Sequence, residues 1–313
     1  MEKLKNIKKL LSNTPLVDIE YRFNNEIKHV YAKCEWYSLT GSIKDKAAYQ
    51  IFYDAFKNKK LKKGDKIVEV SSGNMGIAIC AMANLLGLKV TIIMPKNMSD
   101  ERKHLIRLYG ATLVEVENFK EAFILADEYV KQGYFCTNQF ANESNAKAHR
   151  NITAKEIYSK LKKLNVEAFV SGVGTSGTLS GIGKVLNDKM DLKIIAIEPD
   201  KARILSKQLP YLHHKIQGIS DEIVPELYDE NLIDAIIPIK DEDAIAMAQK
   251  LCRELSLGVG ISSGANFIGC VLSNKNAVTV FADDNKKYLS SDLTKTFSSS
   301  IVNEIELLKI KVL

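Results

Sequence analysis

The sequence GVGTSGTLSG, residues 172–181, follows a short apolar run and has the composition of a phosphate-binding loop. Its glycine spacing fits the G-x-G-x-x-G turn of dinucleotide-binding proteins, and Glu198 lies about as far downstream as their ribose-binding acid. The spacing also fits a P-loop, but Thr178 stands where that loop has its lysine. The loop alone therefore predicts a phosphate ligand without identifying it.

Hydroxyl side chains in this loop favour a terminal phosphate monoester. Thr175, Ser176 and Thr178 add possible donors to the backbone N–H groups at the start of the following helix. The free oxygens of a monoester accept many such hydrogen bonds, whereas a diphosphate bridge offers fewer. A nicotinamide-dependent (NAD) oxidoreductase or a nucleotide-binding module is the alternative from a different class.

Three further loops combine glycine with residues suited to catalysis. They are TGSIKDKAA at 40–48, SSGNMG at 71–76 and GISSGAN at 260–266. Lys44, in the first of them, carries an amine that can attack a carbonyl group and move protons. Taken by itself, Lys44 is more typical of a surface lysine at the start of a helix.

Short β-branched runs alternate with helical patterns along almost the whole chain, which predicts an α/β fold with parallel sheets buried on both faces. Ligands of such sheets bind at the carboxyl ends of the strands, where glycine-rich loops lead into helices. The tail FSSSIVNEIELLKIKVL, 297–313, is expected to form an extra helix or an arm that packs on a partner. The predicted strands are HVYAK, KIVEV, KVTIIMP, ATLVEV, AFVSGV, KIIAIE, AIIPI and AVTVFA.

The composition argues against several classes of protein. The 313 residues carry a net charge of +6 without a basic stripe interleaved with aromatic residues, so no nucleic-acid partner is expected. The five cysteines lie far apart, and no metal-ligand spacing is present, which predicts a reduced, cytoplasmic protein without a metal site. The N-terminal segment MEKLKNIKKLLSNTP reads as a basic amphipathic helix without a signal-peptide core, so no signal peptide is expected. The longest apolar stretch, 76–95, is interrupted by polar residues, so no membrane span is expected.

Four motifs in the order SLTGSIKDKAA, SSGNMG, GVGTSGTLSG and GISSGAN resemble those of the cysteine synthase (O-acetylserine sulfhydrylase)/cystathionine β-synthase family of pyridoxal-phosphate enzymes. NTPLV at 13–17, NQFANESN at 138–145 and QGI at 217–219 match the same family. The resemblance covers about residues 10–292, and the ordered set is far more specific than any one motif. It implies that the bound phosphate belongs to pyridoxal 5'-phosphate.

The resemblance also implies a fold and an assembly. The fold is that of the fold type II pyridoxal-phosphate enzymes, a tryptophan synthase β-like arrangement of two three-layer domains with parallel sheets. The smaller domain, 38–144, is then inserted into the larger, cofactor-binding domain formed by 1–37 plus 145–313. The family further implies a homodimer, with a serine acetyltransferase tail as a partner.

The resemblance assigns a role to each loop. Lys44 forms the Schiff base with the cofactor and moves the substrate's α-proton, Asn74 bonds the ring hydroxyl, and Ser262 meets the pyridine nitrogen. A neutral hydroxyl at that nitrogen favours elimination at the β-carbon. The phosphate-binding residues are Gly174, Thr175, Ser176, Gly177 and Thr178. The residues around the substrate and its carboxylate are Ser71, Ser72, Met75, Gln139 and Gly218.

Three positions depart from the family's pattern. Met75 replaces a threonine, and Ser176 replaces a glycine. The loop QGISDEIVP, 217–225, replaces an uncharged loop that faces the substrate, and it brings in Asp221 and Glu222. If both carboxylates point to solvent, the loop does not affect the reaction. If Asp221 points inward, it repels hydrosulfide and activates water as a catalytic base.

The resemblance implies β-replacement on a β-substituted L-alanine through an aminoacrylate intermediate. The first hypothesis is a cysteine synthase-like transferase that combines O-acetylserine, or a similar substrate, with sulfide to give L-cysteine. The second is an L-cysteine (hydroxyl) lyase that uses water, releases hydrogen sulfide and gives L-serine. The oxidoreductase or nucleotide-binding module stays the hypothesis from another class, and the motifs do not separate the first two.

Overall fold

The chain forms two separate β-sheets that are covered by helices. The computed structural model describes residues 2–208 and 211–313. The strands are β1 (Leu16–Phe23), β2 (Glu26–Cys34), β3 (Lys66–Val70), β4 (Lys89–Pro95), β5 (Thr112–Val116), β6 (Phe135–Cys136), β7 (Ala168–Gly172), β8 (Lys193–Pro199), β9 (Ala235–Ile239), β10 (Ala277–Phe281) and β11 (Glu306–Val312).

Eleven α-helices connect or flank these strands in the described part of the chain. They are α1 (Glu2–Ile7), α2 (Lys44–Lys57), α3 (Asn74–Leu86), α4 (Asp100–Leu108), α5 (Phe119–Lys131), α6 (Glu143–Ala148), α7 (Ala154–Leu161), α8 (Gly177–Met190), α9 (Asp241–Leu255), α10 (Ile261–Leu272) and α11 (Ser300–Glu304). A single π-helical turn, His149–Thr153, joins α6 to α7.

The larger sheet has seven strands in the order β11-β1-β2-β10-β7-β8-β9. The strands from β2 to β9 in this order run parallel to one another, whereas β1 pairs antiparallel with both β2 and β11. Successive residues of β7 enter opposite cores, Val170 with α9 and α10 and Phe169 with α7 and α8. This alternation explains why the predicted strands read as continuous apolar runs.

The smaller sheet is parallel throughout and has the order β5-β4-β3-β6. Ile92 of β4 packs in a core with α2 and α3, and Ile93 packs on the opposite face with α5. Leu4 and Leu11 from the N-terminal segment are buried in the core of α2 and α3. The four strands lie between residues 66 and 136, within the predicted inserted domain, whose boundaries at 38–144 stay a prediction.

All eight predicted strands are confirmed, and three strands were missed. Strand β1 buries Val17, Ile19 and Tyr21 in strict alternation, so its period of two was readable in the sequence. Strand β6 has only two residues, too few for any periodic signal.

The prediction for the C-terminal tail was wrong in its main part. Helix α11 covers five residues only, and the rest of the tail is strand β11, which pairs with β1 as the edge of the larger sheet. Leu307 and Ile310 both contact the larger sheet's core because the register between β1 and β11 shifts between Glu20 and Tyr21. Their spacing of three is also that of one face of a helix, so this segment did not reveal a strand. The chain's own sheet therefore provides the cover that was attributed to a partner.

The close approach of α9 and α10 depends on a glycine. A Cβ atom built on Gly264 would lie 2.1 Å from the carbonyl oxygen of Ala244 and 2.7 Å from the backbone nitrogen of Ala248. Both atoms belong to the backbone of α9, which cannot yield as a side chain can. The packing of these helices beneath the GISSGAN loop therefore requires glycine at 264.

We expect Gly264→Ala to destabilise the protein by about 3 kcal/mol, because overpacking against backbone forces the two helices apart. Chemical denaturation followed by circular dichroism measures the change. The matched control is Gly183→Ala in α8, where the added Cβ meets a side-chain atom, Cγ2 of Ile194, at 3.1 Å. That variant should stay within about 1 kcal/mol of the wild type, since alanine also favours the helix. Equal effects of the two changes would contradict the packing argument.

Candidate active site

Four helices begin around one site, and each begins in one of the predicted loops. They are α2, α3, α8 and α10, which start at Lys44, Asn74, Gly177 and Ile261. The loop before Lys44 is attached to the end of β10 through the Ile43 N–H, which donates to the Ala282 carbonyl at 2.9 Å. Helix N-termini carry partial positive charge and free N–H groups, so this site is suited to anionic groups.

Lys44 lies at the junction of two adjoining cavities and lines both. Burial lowers the pKa of its amine, while attraction by the Asp221 and Asp283 carboxylates opposes that change. A lysine with a lowered pKa has a larger neutral fraction, which is the form that attacks carbonyl carbons and accepts protons. The environment of Lys44 therefore fits the reactive role predicted for it.

The first cavity has the chemistry of a phosphate site. Its lining includes the predicted residues Gly174, Thr175, Ser176 and Thr178 at the start of α8. Gly174 allows the two loops to approach each other closely, because a Cβ there would lie 2.6 Å from the Gly218 carbonyl oxygen. Ser176 has a φ of +63°, a left-handed conformation that turns the loop into the helix. These residues fit a phosphate group held by hydroxyls and a helix N-terminus.

Two buried side chains hold the hydroxyls of this phosphate site in place. Asn145 Nδ2 donates to Thr175 Oγ1 at 2.9 Å, and His149 Nε2 lies 3.5 Å from Thr178 Oγ1. Burial and the nearby Lys44 and Lys46 lower the pKa of His149 well below its ordinary value, so this imidazole is neutral. Gly177 begins α8 and lines neither cavity. The Asn145 side chain lies where a Cβ atom of residue 177 would be, so this position faces Asn145.

The second cavity brings together most of the predicted substrate residues. Its lining includes Ser72, Asn74, Met75, Gln139, Gly218, Asp221 and Ser262. Ser262, at the start of α10, also lines the first cavity and so borders both. Asn74 Nδ2 donates to Asp283 at 2.7 Å, and its buried Oδ1 has no protein partner in the described residues. A free acceptor beside a reactive lysine fits a cofactor that carries a hydroxyl donor.

Ser71 does not line the cavities, although it was predicted to hold the substrate's carboxylate. Its hydroxyl accepts the backbone N–H groups of Gly73 at 3.0 Å and Gly76 at 2.9 Å. Ser71 is 1% exposed and therefore shapes the SSGNMG loop from within. Its role at the substrate stays a prediction, and the contact in hand is with its own loop.

Asp221 points inward, which is the second of the two alternatives given for its loop. It is 9% exposed and lines the second cavity with Lys44. Burial raises the pKa of its carboxyl group to about 6, against the attraction of Lys44 and Arg102. Glu222 is half-buried and is absent from the lining of both cavities. The carboxylate that faces the reaction space is therefore Asp221.

Sequence reasoning missed a buried arginine in the second cavity. Arg102, on α4, is 1% exposed, covers Gly73, and stacks over the Tyr288 ring at 4.5 Å. It donates to Gln217, and its Nη2 lies 3.6 Å from Asp283. In the sequence, α4 has the pattern of a charged amphipathic helix, which gave no sign that one of its arginines enters a cavity.

The sequence matches the family described as pyridoxal-phosphate dependent enzyme over residues 7–283. This chain belongs to that family. The enzyme is 38% identical to cysteine synthase B of Campylobacter jejuni over 298 residues, which cover 92% of this chain and 97% of the relative. It is 35% identical to a cysteine synthase of Staphylococcus aureus, over 92% of this chain and 96% of the relative. The predicted cysteine synthase branch of the pyridoxal-phosphate enzymes is thereby confirmed.

Solved structures agree with this assignment. A hydrogen sulfide-producing enzyme of Fusobacterium nucleatum has a TM-score of 0.95 and 40% identity, over 100% of this chain and 99% of that chain. An Asp→Asn variant of a hydrogen sulfide-producing enzyme, with a TM-score of 0.96 and 40% identity over the same shares, was solved with an α-aminoacrylate intermediate. The fold type II architecture and the dependence on pyridoxal phosphate are therefore confirmed for this enzyme.

Three further expectations concern the cysteines, metal binding and membrane spans. All five cysteines are free thiols, as predicted. Among residues 2–208 and 211–313, no group of three or more metal-ligating side chains could hold a metal ion. In the same part of the chain, no helix is long and apolar enough to cross a membrane.

We expect Lys44→Ala to abolish turnover together with the visible absorbance that covalent attachment of the cofactor produces. The fold should persist, because removing an amine that burial disfavours costs little stability. Absorbance spectra and far-ultraviolet circular dichroism of the purified variant measure the two effects. Lys60→Ala, an exposed lysine just beyond the end of the same helix, is the control and should keep both colour and turnover. Turnover by Lys44→Ala without added amine would overturn the assignment.

Proposed function

We propose that this pyridoxal-phosphate dependent β-replacement enzyme takes L-cysteine and water and releases L-serine and hydrogen sulfide. The observation that carries the proposal is the buried Asp221 carboxylate, which lines the same cavity as Lys44. The likeness to the hydrogen sulfide-producing enzyme of Fusobacterium nucleatum supports the same direction. The net reaction is balanced, since the hydroxyl group of water replaces the thiol group on the β-carbon.

Lys44 is proposed to be the residue that holds the cofactor and moves the α-proton. Bound pyridoxal phosphate would withdraw electrons from the substrate's α-carbon, which makes the α-proton acidic enough to remove. Lys44 Nζ then accepts this proton, and loss of the thiol group from the β-carbon follows. The phosphate would be held by Gly174, Thr175, Ser176 and Thr178, and the ring by Asn74 and Ser262.

The substrate's carboxylate is proposed to bind at the N-terminus of α3. Ser72 and Gln139 border the second cavity there, and the N–H groups at the start of α3 favour an anion. Gln139 Nε2 donates to the Val70 carbonyl at 2.8 Å, which orients the amide group toward this loop. Met75 and Gly218 line the same cavity and would border the side chain of the substrate.

Asp221 is proposed to select water over hydrosulfide as the nucleophile. As a base, its carboxylate accepts a proton from water while the water oxygen bonds to the β-carbon. The double bond that elimination leaves between the α- and β-carbons breaks in this step, and the α-carbon regains its proton from Lys44. As a charge, it opposes an approaching anion: two like charges about 4 Å apart repel by about 4 kcal/mol at an effective dielectric constant of about 20. The same residue therefore promotes one nucleophile and suppresses the other.

The second candidate is a cysteine synthase that combines O-acetylserine, or a similar substrate, with sulfide. It is favoured by the names of the relatives from Campylobacter jejuni and Staphylococcus aureus. Both candidate reactions use the same proposed residues, except that only the first gives a role to Asp221. Measuring sulfide release from L-cysteine beside sulfide consumption with O-acetylserine distinguishes them, because only the first candidate gives serine and sulfide from cysteine alone.

We further propose that the enzyme is a cytoplasmic homodimer. The five free cysteines support a reducing compartment, and the family resemblance supports the dimer. Light scattering at micromolar concentration should give about twice the chain mass of 35.0 kDa, and a monomer there would contradict the proposal. A serine acetyltransferase tail as partner rests on the family resemblance alone.

For Asp221→Asn, we expect a burst of about one sulfide per active site when L-cysteine is added, followed by turnover at least 100-fold slower than the wild type. Loss of the thiol group does not need Asp221, whereas addition of water loses its general base. Rapid mixing with a sulfide-sensitive probe separates the burst from steady turnover. The Asp→Asn variant that holds an intermediate in a related enzyme supports this expectation.

The matched control is Glu222→Gln, which removes the neighbouring carboxylate and should keep turnover within about twofold. The pH profile provides a second check. Because burial raises the pKa of Asp221 to about 6, the base is protonated below that pH, so wild-type sulfide release should rise as the pH increases through about 6. Asp221→Asn should lack this rise. Unchanged serine formation in Asp221→Asn would remove Asp221 from the mechanism.

A further inference from the structure

The backbone around Asp221 adopts a conformation that side chains disfavour. Ser220 and Glu222, the residues on either side, have φ values of +54° and +62°. Non-glycine residues rarely occupy this left-handed region and keep it only where surrounding contacts require it. Without such contacts, the loop would relax and the Asp221 carboxylate would leave its place in the cavity. The contacts at Ser220, the residue just before Asp221, are therefore among those that hold the carboxylate in place.

Ser220 is held by hydrogen bonds at both of its backbone polar groups. Its N–H donates to the Val173 carbonyl at 2.8 Å, just beyond β7. Its carbonyl oxygen lies 3.3 Å from Nε2 of His214, six residues earlier in the chain. A carbonyl oxygen can only accept, so this contact requires the proton on Nε2 of the imidazole. The side-chain donor that holds the Ser220–Asp221 peptide is therefore His214.

His214 itself is built into the protein. It is 7% exposed, and its ring packs edge-on against Tyr211 with ring centroids 5.7 Å apart. Burial lowers the pKa of this imidazole, which keeps it neutral. Its Nδ1 is buried and has no partner in the described residues, so Nε2 makes its only hydrogen bond there. A buried imidazole that makes a single bond, to the residue before Asp221, points to a positioning function.

We infer that His214 is a positioning residue for Asp221: its Nε2–H fixes the Ser220 carbonyl and thereby holds the Asp221 carboxylate inside the cavity. This inference rests on the proposed function of Asp221. It goes beyond that proposal because it names the residue that makes the base available. His214 lines a further cavity that Gly218 and Asp221 also border, and its hydrogen bond is to the backbone of Ser220.

The experiment compares three holoenzyme variants. His214→Phe keeps an aromatic ring and removes the donor, His214→Gln restores a donor near the same place, and His213→Phe changes the exposed histidine next to it. Steady sulfide release from L-cysteine is measured, together with the visible spectrum of the cofactor after rapid mixing with L-cysteine. Crystal structures of the wild type and of His214→Phe show where the Asp221 carboxylate lies in each.

We expect His214→Phe to lower steady sulfide release about tenfold, the effect typical of one lost hydrogen bond. The burst should remain, and the spectrum after mixing should become that of Asp221→Asn. His214→Gln should stay within about threefold of the wild type, and His213→Phe should be unchanged. Adding His214→Phe to Asp221→Asn should cause no further loss, because the carboxylate that it positions is already absent.

Several outcomes would overturn the inference. They are a His214→Phe structure in which Asp221 keeps its place, equal losses for the Phe and Gln variants, or a further tenfold loss in the double variant. Failure of the proposed function is recognised separately, because wild type would then release no sulfide from L-cysteine. In that case the crystal structures still decide whether His214 positions Asp221.

Discussion

Burial of an amine and a carboxylate in one cavity is the constraint on which the rest of the site depends. Loss of water lowers the pKa of Lys44 and raises that of Asp221, and the attraction between the two opposes both changes. Lys44 begins a helix packed on the smaller sheet, whereas Asp221 follows β8 of the larger one. Each group therefore has its counter-charge only when both sheets are in place.

The fold was largely predictable because the buried parallel strands have a recognisable sequence pattern. Runs such as KVTIIMP and AFVSGV are apolar on both faces, and that pattern occurs in parallel strands covered by helices. Strand β11 could not be predicted with the same security, because an edge strand exposes one side and includes Lys309 and Lys311. Such a segment forms a strand because it can pair with β1 in the folded protein. The local sequence gives no information about that partner strand.

The site was predictable where contacts run through the backbone or through one short loop. Glycine and hydroxyl residues of the phosphate loop act through the start of α8, so their spacing contains the information. Arg102 was missed because its partner Tyr288 lies far away in the sequence. His214 was missed because its hydrogen bond is to a backbone carbonyl group, which no side-chain pattern reveals. Ser71 differs from both: it was predicted from its motif to hold the substrate's carboxylate, which stays a prediction, and its hydroxyl accepts hydrogen bonds from its own loop.

The two cavities divide the chemistry in a way that lets one change without the other. Ser176 and Thr178 line only the first of these two cavities and Asp221 only the second, whereas Gly174 and Thr175 line both. A charge at 221 therefore does not share a cavity with Ser176 and Thr178, two of the hydroxyls predicted to hold the phosphate, which such a charge would repel. Lys44 and Ser262, which were predicted to hold the cofactor, line both cavities. The Asp221 carboxylate comes from a single loop. Under the proposed function, a change in that loop alone can therefore change the nucleophile and leave the proposed cofactor site intact.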